Sequence, residues 1–125
     1  MTRTIYIMVA SLLLASGIFA DAGGSWLQKV PTRDHQRVNP LSGQADAVAA
    51  GRLLFQDHCA ACHGTNAEGR KKKPSLHTLR VQMASDGDLH WLLVNGSMWK
   101  GMPSWSKLPD PQLWQLVSYL KSLSN

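Results

Sequence analysis

Apolar and small residues recur at helical spacing in three stretches of the chain after residue 44. In the first stretch they stand three or four positions apart, which places them on one face of a 3.6-residue helix. They are Val48, Gly51, Phe55, Cys59 and Cys62. The sequence after residue 44 contains no convincing pair of β-strands. The pattern therefore predicts an all-α domain over residues 45–125.

The other two helices have start and stop signals. The last helix is predicted to begin with Asp110 as N-cap and Pro111 at the first helical position. Its apolar residues form one stripe flanked by Trp114 and Tyr119: Leu113, Leu116, Val117, Leu120 and Leu123. The middle helix is predicted from Ser85 or Asp86 at its start, the apolar run Leu89 to Val94 interrupted by His90, and Gly96 just past its end. Three helices give a thin core, which a large apolar prosthetic group would help to fill.

The chain begins with the pattern of an export signal. Arg3 precedes an almost unbroken apolar run over residues 5–20, and Ala20-Asp21-Ala22 offers a small-x-small cleavage site. An uncleaved membrane anchor is the alternative, although the run is shorter than the roughly 20 residues that span a bilayer. We therefore expect a signal peptide over residues 1–22 and a periplasmic location for the rest, with membrane association through the N-terminus if the signal is retained.

Residues 23–44 are polar, lack an apolar period and contain Pro31 and Pro40. This composition predicts an extended leader or tether between the signal and the domain. Three of its apolar residues stand close together near its start: Trp26, Leu27 and Val30. They are expected either to dock on the domain or to form a short motif that contacts a partner.

The composition is that of a small globular domain, because 44% of the residues are hydrophobic and 17% are charged. Lys and Arg number 13 against 8 acidic residues, for a net charge of +5. An acidic protein, an anionic membrane surface and nucleic acid all suit that charge. The chain has only 2 cysteines, which excludes a disulfide framework and a four-cysteine metal cage.

Both cysteines stand in the segment Cys59-Ala60-Ala61-Cys62-His63. Thiols at this spacing can add to the two vinyl groups of a haem, and the histidine can then bind the iron from the same side. A C-x-x-C pair alone also occurs in thioredoxin-like redox sites and in zinc sites. The sequence has neither the βαβ pattern of the first nor the second cysteine pair of the second. Haem attachment is therefore favoured, with a thiol–disulfide enzyme as the remaining alternative.

Further short motifs accompany the haem motif, which continues into Gly64. They are Gly51-x-x-x-Phe55, Pro74-Ser75-Leu76, Gly101-Met102-Pro103 and the run from Leu113 to Leu120. With these motifs, residues 45–124 resemble a small class I c-type cytochrome. The resemblance implies helices wrapped around one covalently bound haem c, with Gly51 where the first helix crosses the last and Phe55 beside an aromatic residue there. It also implies that the Pro74 carbonyl accepts a hydrogen bond from Nδ1 of His63, which leaves Nε2 free for iron.

The resemblance implies a methionine on the opposite side of the haem. Met102 is the expected ligand because it directly precedes Pro103, as the family's axial methionine commonly does, and Met98 is the competitor. Met83 is expected to be core filler. The other histidines are expected to be surface or packing residues, with His77 nearest the predicted haem edge: His35, His58, His77 and His90. Three tryptophans are candidates for the haem walls or for ordinary core: Trp91, Trp99 and Trp105.

Two axial ligands from the protein leave no open position for a substrate, so we expect an electron carrier and not an enzyme. The basic residues 70–73 and Lys100 would then steer an acidic redox partner, or they form a solvated loop. No nucleic-acid partner is expected. One alternative is a dedicated electron-transfer subunit of a periplasmic dehydrogenase or oxidase, with the leader around Trp26 as a docking strap. Another is a haem enzyme or small-ligand sensor with a labile distal methionine.

Overall fold

The computed structural model describes residues 26–123 and contains six helices. They are α1 (Thr32–His35), α2 (Ala45–His58), α3 (Ala60–His63), α4 (Leu79–Met83), α5 (Asp86–Asn95) and α6 (Asp110–Ser122), with 3₁₀ turns at Leu27–Lys29 and Met98–Lys100. Over residues 26–123 there is no β-strand, which confirms the all-α prediction. The predicted signal peptide lies outside the described residues. None of the helices within residues 26–123 is long and apolar enough to cross a bilayer.

The core forms where α2 crosses α6. Gly51 stands at the crossing, where a Cβ atom would collide with the backbone carbonyl of Gln115. One turn further on, the rings of Phe55 and Tyr119 meet with their centroids 5.1 Å apart and tilted by 55°. The glycine therefore permits the close approach, and the aromatic pair fills the space beside it, as the resemblance implied.

Helix α6 buries the predicted stripe but begins one residue earlier than expected. Its five stripe residues are buried, as are Trp114 and Tyr119. Pro109 is the N-cap, Asp110 is the first helical residue and Pro111 the second. The prediction that Asp110 caps the helix is wrong, because its carboxylate accepts hydrogen bonds from the side chains of His90 and Trp114 instead.

The two cysteines do not share one continuous helix, contrary to the periodicity argument. Helix α2 ends at His58, and Cys59 adopts φ −120° and ψ −30° before α3 begins. Because this residue leaves helical geometry, the second cysteine is rotated out of the packed face: Cys59 is half-buried and Cys62 is exposed. Helix α5 begins as predicted, with Ser85 as N-cap in a capping box with Asp88.

Residues 26–44, here called the N-terminal segment, are folded against the domain and not extended as expected. Trp26 and Leu27 pack against the core. The backbone carbonyl of Asp34 lies so close to Gly87 of α5 that a Cβ atom there would collide with it. Buried Asn39 donates to the Trp114 carbonyl at 3.1 Å and to Ser118 Oγ at 2.8 Å. Polar contacts of this kind carry no apolar period, which is why the segment was predicted to be a tether.

Candidate functional site

The cysteine pair lies at the junction of α2 and α3. Burial, followed by the neighbouring Cys62, raises the pKa of the Cys59 thiol to about 11. Reactive cysteines of thiol–disulfide enzymes have lowered pKa values, because the thiolate is the nucleophile. The environment of Cys59 therefore opposes that alternative.

His63 closes α3 and is oriented by a backbone carbonyl. Its Nδ1 lies 3.1 Å from the Pro74 carbonyl oxygen. A carbonyl can only accept, so Nδ1 carries the proton and Nε2 keeps its lone pair. The imidazole is thus held in the tautomer that suits a metal ligand.

The loop over residues 64–78 positions Pro74. Its backbone bonds fold it back on α3 and on itself, with Gly69 N donating to the His63 carbonyl at 2.7 Å and Leu76 N to the Ala67 carbonyl at 2.8 Å. Ala67 is buried despite a φ of 60°. The Glu68 carboxylate accepts a hydrogen bond from the backbone N–H of Asn66 at 2.8 Å, and backbone hydrogen bonds lower the pKa of Glu68. These local bonds hold the carbonyl that orients the histidine.

Met102 lies in the loop over residues 96–109, here called the methionine loop. It pairs with Ser97 through two backbone hydrogen bonds, of 2.8 and 3.0 Å, across a turn closed by Gly101 in the left-handed region. Its half-buried side chain packs against the core. Met98, in contrast, is 69% exposed. The structure thus distinguishes the two candidate methionines by burial.

Met83 is 81% exposed, so the expectation that it fills the core is wrong. Helix α4 has five residues and buries only Val81, which leaves Met83 on its outer side. The four remaining histidines have contacts of their own. His35 contacts Asp88 at 2.8 Å, His77 the Asn66 carbonyl at 2.6 Å, His90 Asp110 at 2.7 Å, and the His58 ring lies 5.2 Å from that of Trp105.

The three candidate wall tryptophans lie in different environments. Trp105 packs against the core, Trp91 is half-buried, and Trp99 is 98% exposed at the tip of the methionine loop. The predicted role as haem wall or core therefore suits Trp105 and Trp91 better than Trp99.

The basic residues 70–73, here called the basic turn, lie against both halves of the site. Arg70 and Lys73 pair through their backbones, and Lys71 between them has a φ of 52°. The Arg70 guanidinium donates to the Ala61 carbonyl, within the C-x-x-C segment, at 3.3 Å. The Lys73 ammonium donates to the Lys100 carbonyl, in the methionine loop, at 3.4 Å. The turn therefore places positive charge in contact with both the cysteine segment and the methionine loop.

A family model described as cytochrome c oxidase, cbb3-type, subunit III matches residues 46–120. The chain belongs to the c-type cytochrome family. The match covers the domain from the start of α2 to the last turns of α6 and begins after the N-terminal segment. The resemblance seen in the sequence is thereby confirmed.

Individual relatives agree with the family. The chain is 36% identical over 88 residues to a cytochrome c-553-like protein of Synechocystis, an alignment covering 70% of this chain and 76% of that protein. It is 31% identical over 101 residues to the cbb3-type cytochrome c oxidase subunit CcoP of Rhodobacter capsulatus, covering 70% of this chain but 34% of that subunit. The chain thus spans about a third of the length of the CcoP subunits that it matches.

A solved structure shares the fold. Cytochrome CL of Methylophaga aminisulfidivorans superposes with a TM-score of 0.60 at 25% identity, covering 70% of this chain and 59% of that protein. This cytochrome domain therefore has a c-type fold, and its cofactor is haem c.

The residues present in this cytochrome domain fit haem c. Two thiols at the C-x-x-C spacing stand directly before an imidazole whose Nε2 is free, and a thioether lies in a separate loop. Apolar side chains in the segments that carry these donors pack half-buried against the core: Leu76, Met102 and Trp105. Two thiols, an imidazole and a thioether are together the donor set of a covalently attached haem with histidine and methionine ligation.

Sequence reasoning missed the contacts among side chains near the two ends of the methionine loop. The sequence predicts Asp110 as a helix cap and His90 as a surface or packing residue, yet the two side chains contact each other and join the helices at the two ends of the loop. Arg37 contacts His90 from the N-terminal segment, at a separation of 53 residues. The acidic cap signal at Asp110 was visible, but nothing in the sequence indicates its partner.

Proposed function

We propose that the chain is an exported, mono-haem electron carrier that passes single electrons between redox partners. Cys59 and Cys62 hold the haem covalently, His63 is the proximal iron ligand, and the Pro74 carbonyl orients it. The observation that carries this assignment is the hydrogen bond from His63 Nδ1 to Pro74, because it fixes the imidazole tautomer that a metal requires.

Met102 is the distal ligand in this proposal. Its half-buried position, its two backbone bonds to Ser97 and the following Pro103 support it over the exposed Met98. A neutral thioether opposite an imidazole favours the reduced iron and so raises the potential relative to two imidazoles. With both axial positions taken by side chains, no site is left for substrate coordination, which supports electron transfer over catalysis.

The basic turn is the proposed docking site for an acidic redox partner. Lys71 and Lys72 are exposed at its tip, while Arg70 and Lys73 are tied to the two segments that carry the site. Positive charge at this place steers an acidic protein toward the haem edge. Export and a periplasmic location are proposed from the sequence of residues 1–22.

A dedicated electron-transfer subunit of an oxidase is the second candidate, because CcoP subunits are among the relatives. In that case the N-terminal segment would not be a free docking strap, because Trp26 packs against the core of its own chain. Co-purification of a stoichiometric partner through salt washing would favour the subunit. A monomer on gel filtration after the same wash would favour the free carrier.

The absorption spectra of the holoprotein test the proposal. We expect a low-spin ferric spectrum with the weak charge-transfer absorption of methionine ligation at the red end of the spectrum. We also expect a ferrous spectrum that does not change on adding carbon monoxide, because no axial position is open. Carbon monoxide binding would overturn the carrier and favour a haem enzyme or small-ligand sensor.

A further inference from the structure

A cluster of polar side chains surrounds His90, which is 4% exposed. Its Nε2 lies 2.7 Å from Asp110 Oδ1, its Nδ1 lies 3.2 Å from an Arg37 guanidinium nitrogen, and its ring stacks on Trp114 at 4.1 Å. The second Asp110 oxygen accepts from Trp114 Nε1 at 3.0 Å, and the Arg37 guanidinium lies 4.9 Å from the centre of the Trp114 ring. The cluster therefore joins three parts of the chain: the N-terminal segment, α5 and α6.

The cluster lies at the base of the methionine loop. The loop leaves α5 after Asn95 and enters α6 at Asp110, so the contact between His90 and Asp110 connects the two helices that carry its ends. Any shift of α5 relative to α6 must change the separation of those ends.

Met102 follows the position of α5 because the loop is bonded to the end of that helix. Trp105 N donates to the Leu93 carbonyl at 2.8 Å, and Ser104 Oγ donates to the Val94 carbonyl. Gly96 lies so close to Pro103 that a Cβ atom would stand 2.6 Å from the Pro103 carbonyl carbon. These contacts flank Met102 on its C-terminal side, while Ser97 pairs with it from the other.

The protonation of His90 follows from its partners. A guanidinium has donors only, so Nδ1 accepts from Arg37 and Nε2 carries the proton that it donates to Asp110. Burial lowers the pKa of His90 from its ordinary value of 6.5; Asp110 opposes this shift, while the charges of Arg37 and Asp34 act in opposite directions. A second proton, placed on Nδ1, would face the Arg37 donors and break that contact.

We propose that the N-terminal segment helps to position Met102, with Arg37 and Asp110 holding His90 from opposite sides and so fixing the base of the methionine loop. Arg37, His90 and Asp110 are positioning residues and not ligands. The inference rests on the proposed assignment of Met102. The family model does not extend to Arg37, because its match begins at residue 46.

The test measures how fast added imidazole displaces the methionine from the ferric holoprotein, followed by the loss of the charge-transfer absorption. Arg37→Met removes the donors but keeps an unbranched stem, and we expect the displacement rate to rise several-fold, the scale of one lost hydrogen bond that is only partly buried. Arg33→Met is the matched control, because Arg33 lies in the same segment with a side chain that is 90% exposed. Arg37→Lys, which retains a donor, should restore most of the slow rate.

The pH profile separates positioning from mere support of the fold. In the unmodified holoprotein the displacement rate should rise only at pH values below the ordinary range of histidine titration, because burial lowers the pKa of His90 and its second proton binds correspondingly later as the pH falls. His90→Phe keeps the stacking on Trp114 but cannot titrate, so this acid acceleration should disappear. Arg37→Met substitutes no residue of α5 or α6. Its displacement rate therefore still tests the inference if His90→Phe fails to fold.

Two results overturn the inference: a displacement rate in Arg37→Met equal to that in Arg33→Met, or an acid acceleration that survives in a folded His90→Phe. Failure of the proposed function is read separately, from the unmodified ferric spectrum and from Met102→Ala. If Met102→Ala keeps the charge-transfer absorption, the ligand assignment fails whatever the rates in the Arg37 variants.

Discussion

The two sides of the site are held by different means. On the histidine side, residues 59–78, the histidine stands at the end of a one-turn helix and is oriented by a single bond to a loop carbonyl. On the methionine side, residues 89–110, Met102 is paired with Ser97 in a loop that is bonded to the end of α5, and the contact of buried His90 with exposed Asp110 joins the two helices at the ends of the loop.

This difference follows from the chemistry that each side performs. In the proposed assignment two thioether links to the chain would fix a haem beside His63 whatever the rest of the fold does, so local geometry would suffice there. A thioether sulfur bound to iron is a weak donor that competes with water and added ligands, so its place has to be fixed by tertiary structure. Substitutions on the histidine side should therefore change haem retention, and those on the methionine side should change potential and ligand exchange.

Removing both thiols should have the largest effect. In Cys59→Ala combined with Cys62→Ala, no bond joins haem to chain, so haem staining of the band in a denaturing gel should disappear completely. Met102→Ala is the control and should keep the stained band, because the methionine forms no covalent link to the haem. A stained band of full intensity in the double variant would mean that the two cysteines do not attach the cofactor.

Removing the sulfur should alter the potential without releasing the haem. Met102→Ala should abolish the charge-transfer absorption and lower the potential by a sizeable part of the roughly 0.8 V range that axial ligands span. Met98→Ala, at an exposed position of the same loop, should leave both nearly unchanged. Potentiometric titration with optical detection measures both quantities, and the reverse result would assign the ligand to Met98.

Gly51→Ala tests whether the packing of α2 in the core stabilises the histidine side, because α2 ends directly before Cys59. The added methyl group would collide with the Gln115 carbonyl and force α2 away from α6. We expect a loss of about 3 kcal/mol in the free energy of unfolding, measured with urea on the holoprotein. Arg52→Ala, at the next and exposed position, should change it by less than about 0.5 kcal/mol. Equal losses of unfolding free energy in Gly51→Ala and Arg52→Ala would show that the close approach of α2 and α6 at Gly51 is not the cause.

The parts of the site that could be predicted from the sequence are those that depend on local spacing. The C-x-x-C-H segment and Gly51 with Phe55 are motifs of a few residues, and the apolar stripe of α6 repeats at helical period. Family resemblance supplied the contact of Pro74 with His63, which spans 11 residues. The helix break at Cys59 was missed, because the residue keeps the apolar spacing while its backbone leaves the helix.

The methionine side could not be predicted in the same way. The polar contact between Arg37 and His90 leaves no periodic signal in the sequence, because arginine and histidine are also found on solvent-exposed surfaces. Asp110 is ambiguous for a different reason: aspartate is a good N-cap, and the same carboxylate is a good partner for a histidine. The choice between these two roles depends on tertiary structure, because α5 brings His90 within hydrogen-bond distance of the Asp110 carboxylate.

Lys121→Met tests a long-range contact made just after the loop over residues 64–78. The Lys121 ammonium donates to the carbonyls of Gln82 and Ala84 at the end of α4, the helix that follows this loop. A charged donor shared by two carbonyls is worth about 2 kcal/mol of unfolding free energy. Lys107→Met, at an exposed position of the methionine loop, is the control and should cost far less in the same urea titration. A loss in Lys107→Met as large as that in Lys121→Met would contradict this account.

The smallest expected effect is on docking to a redox partner. Because the basic turn lies on the histidine side, we expect charge there to affect the docking rate more than charge elsewhere on the chain. Lys71→Gln with Lys72→Gln removes two exposed positive charges from the basic turn without touching the bonds of Arg70 and Lys73. Reduction by an acidic flavodoxin should slow by a few-fold at about 10 mM salt and by little at about 200 mM, where screening shortens the reach of the charges.

The matched control for docking is Lys29→Gln, an exposed lysine of the N-terminal segment. If steering depends on the place of the charge, Lys29→Gln should leave the rate at low salt nearly unchanged. If it depends only on the net charge of +5, one removed charge should give about half the effect of two on a logarithmic scale. Stopped-flow reduction of the three proteins over a salt series separates these outcomes, because only a local effect spares Lys29→Gln while slowing the variant of the basic turn.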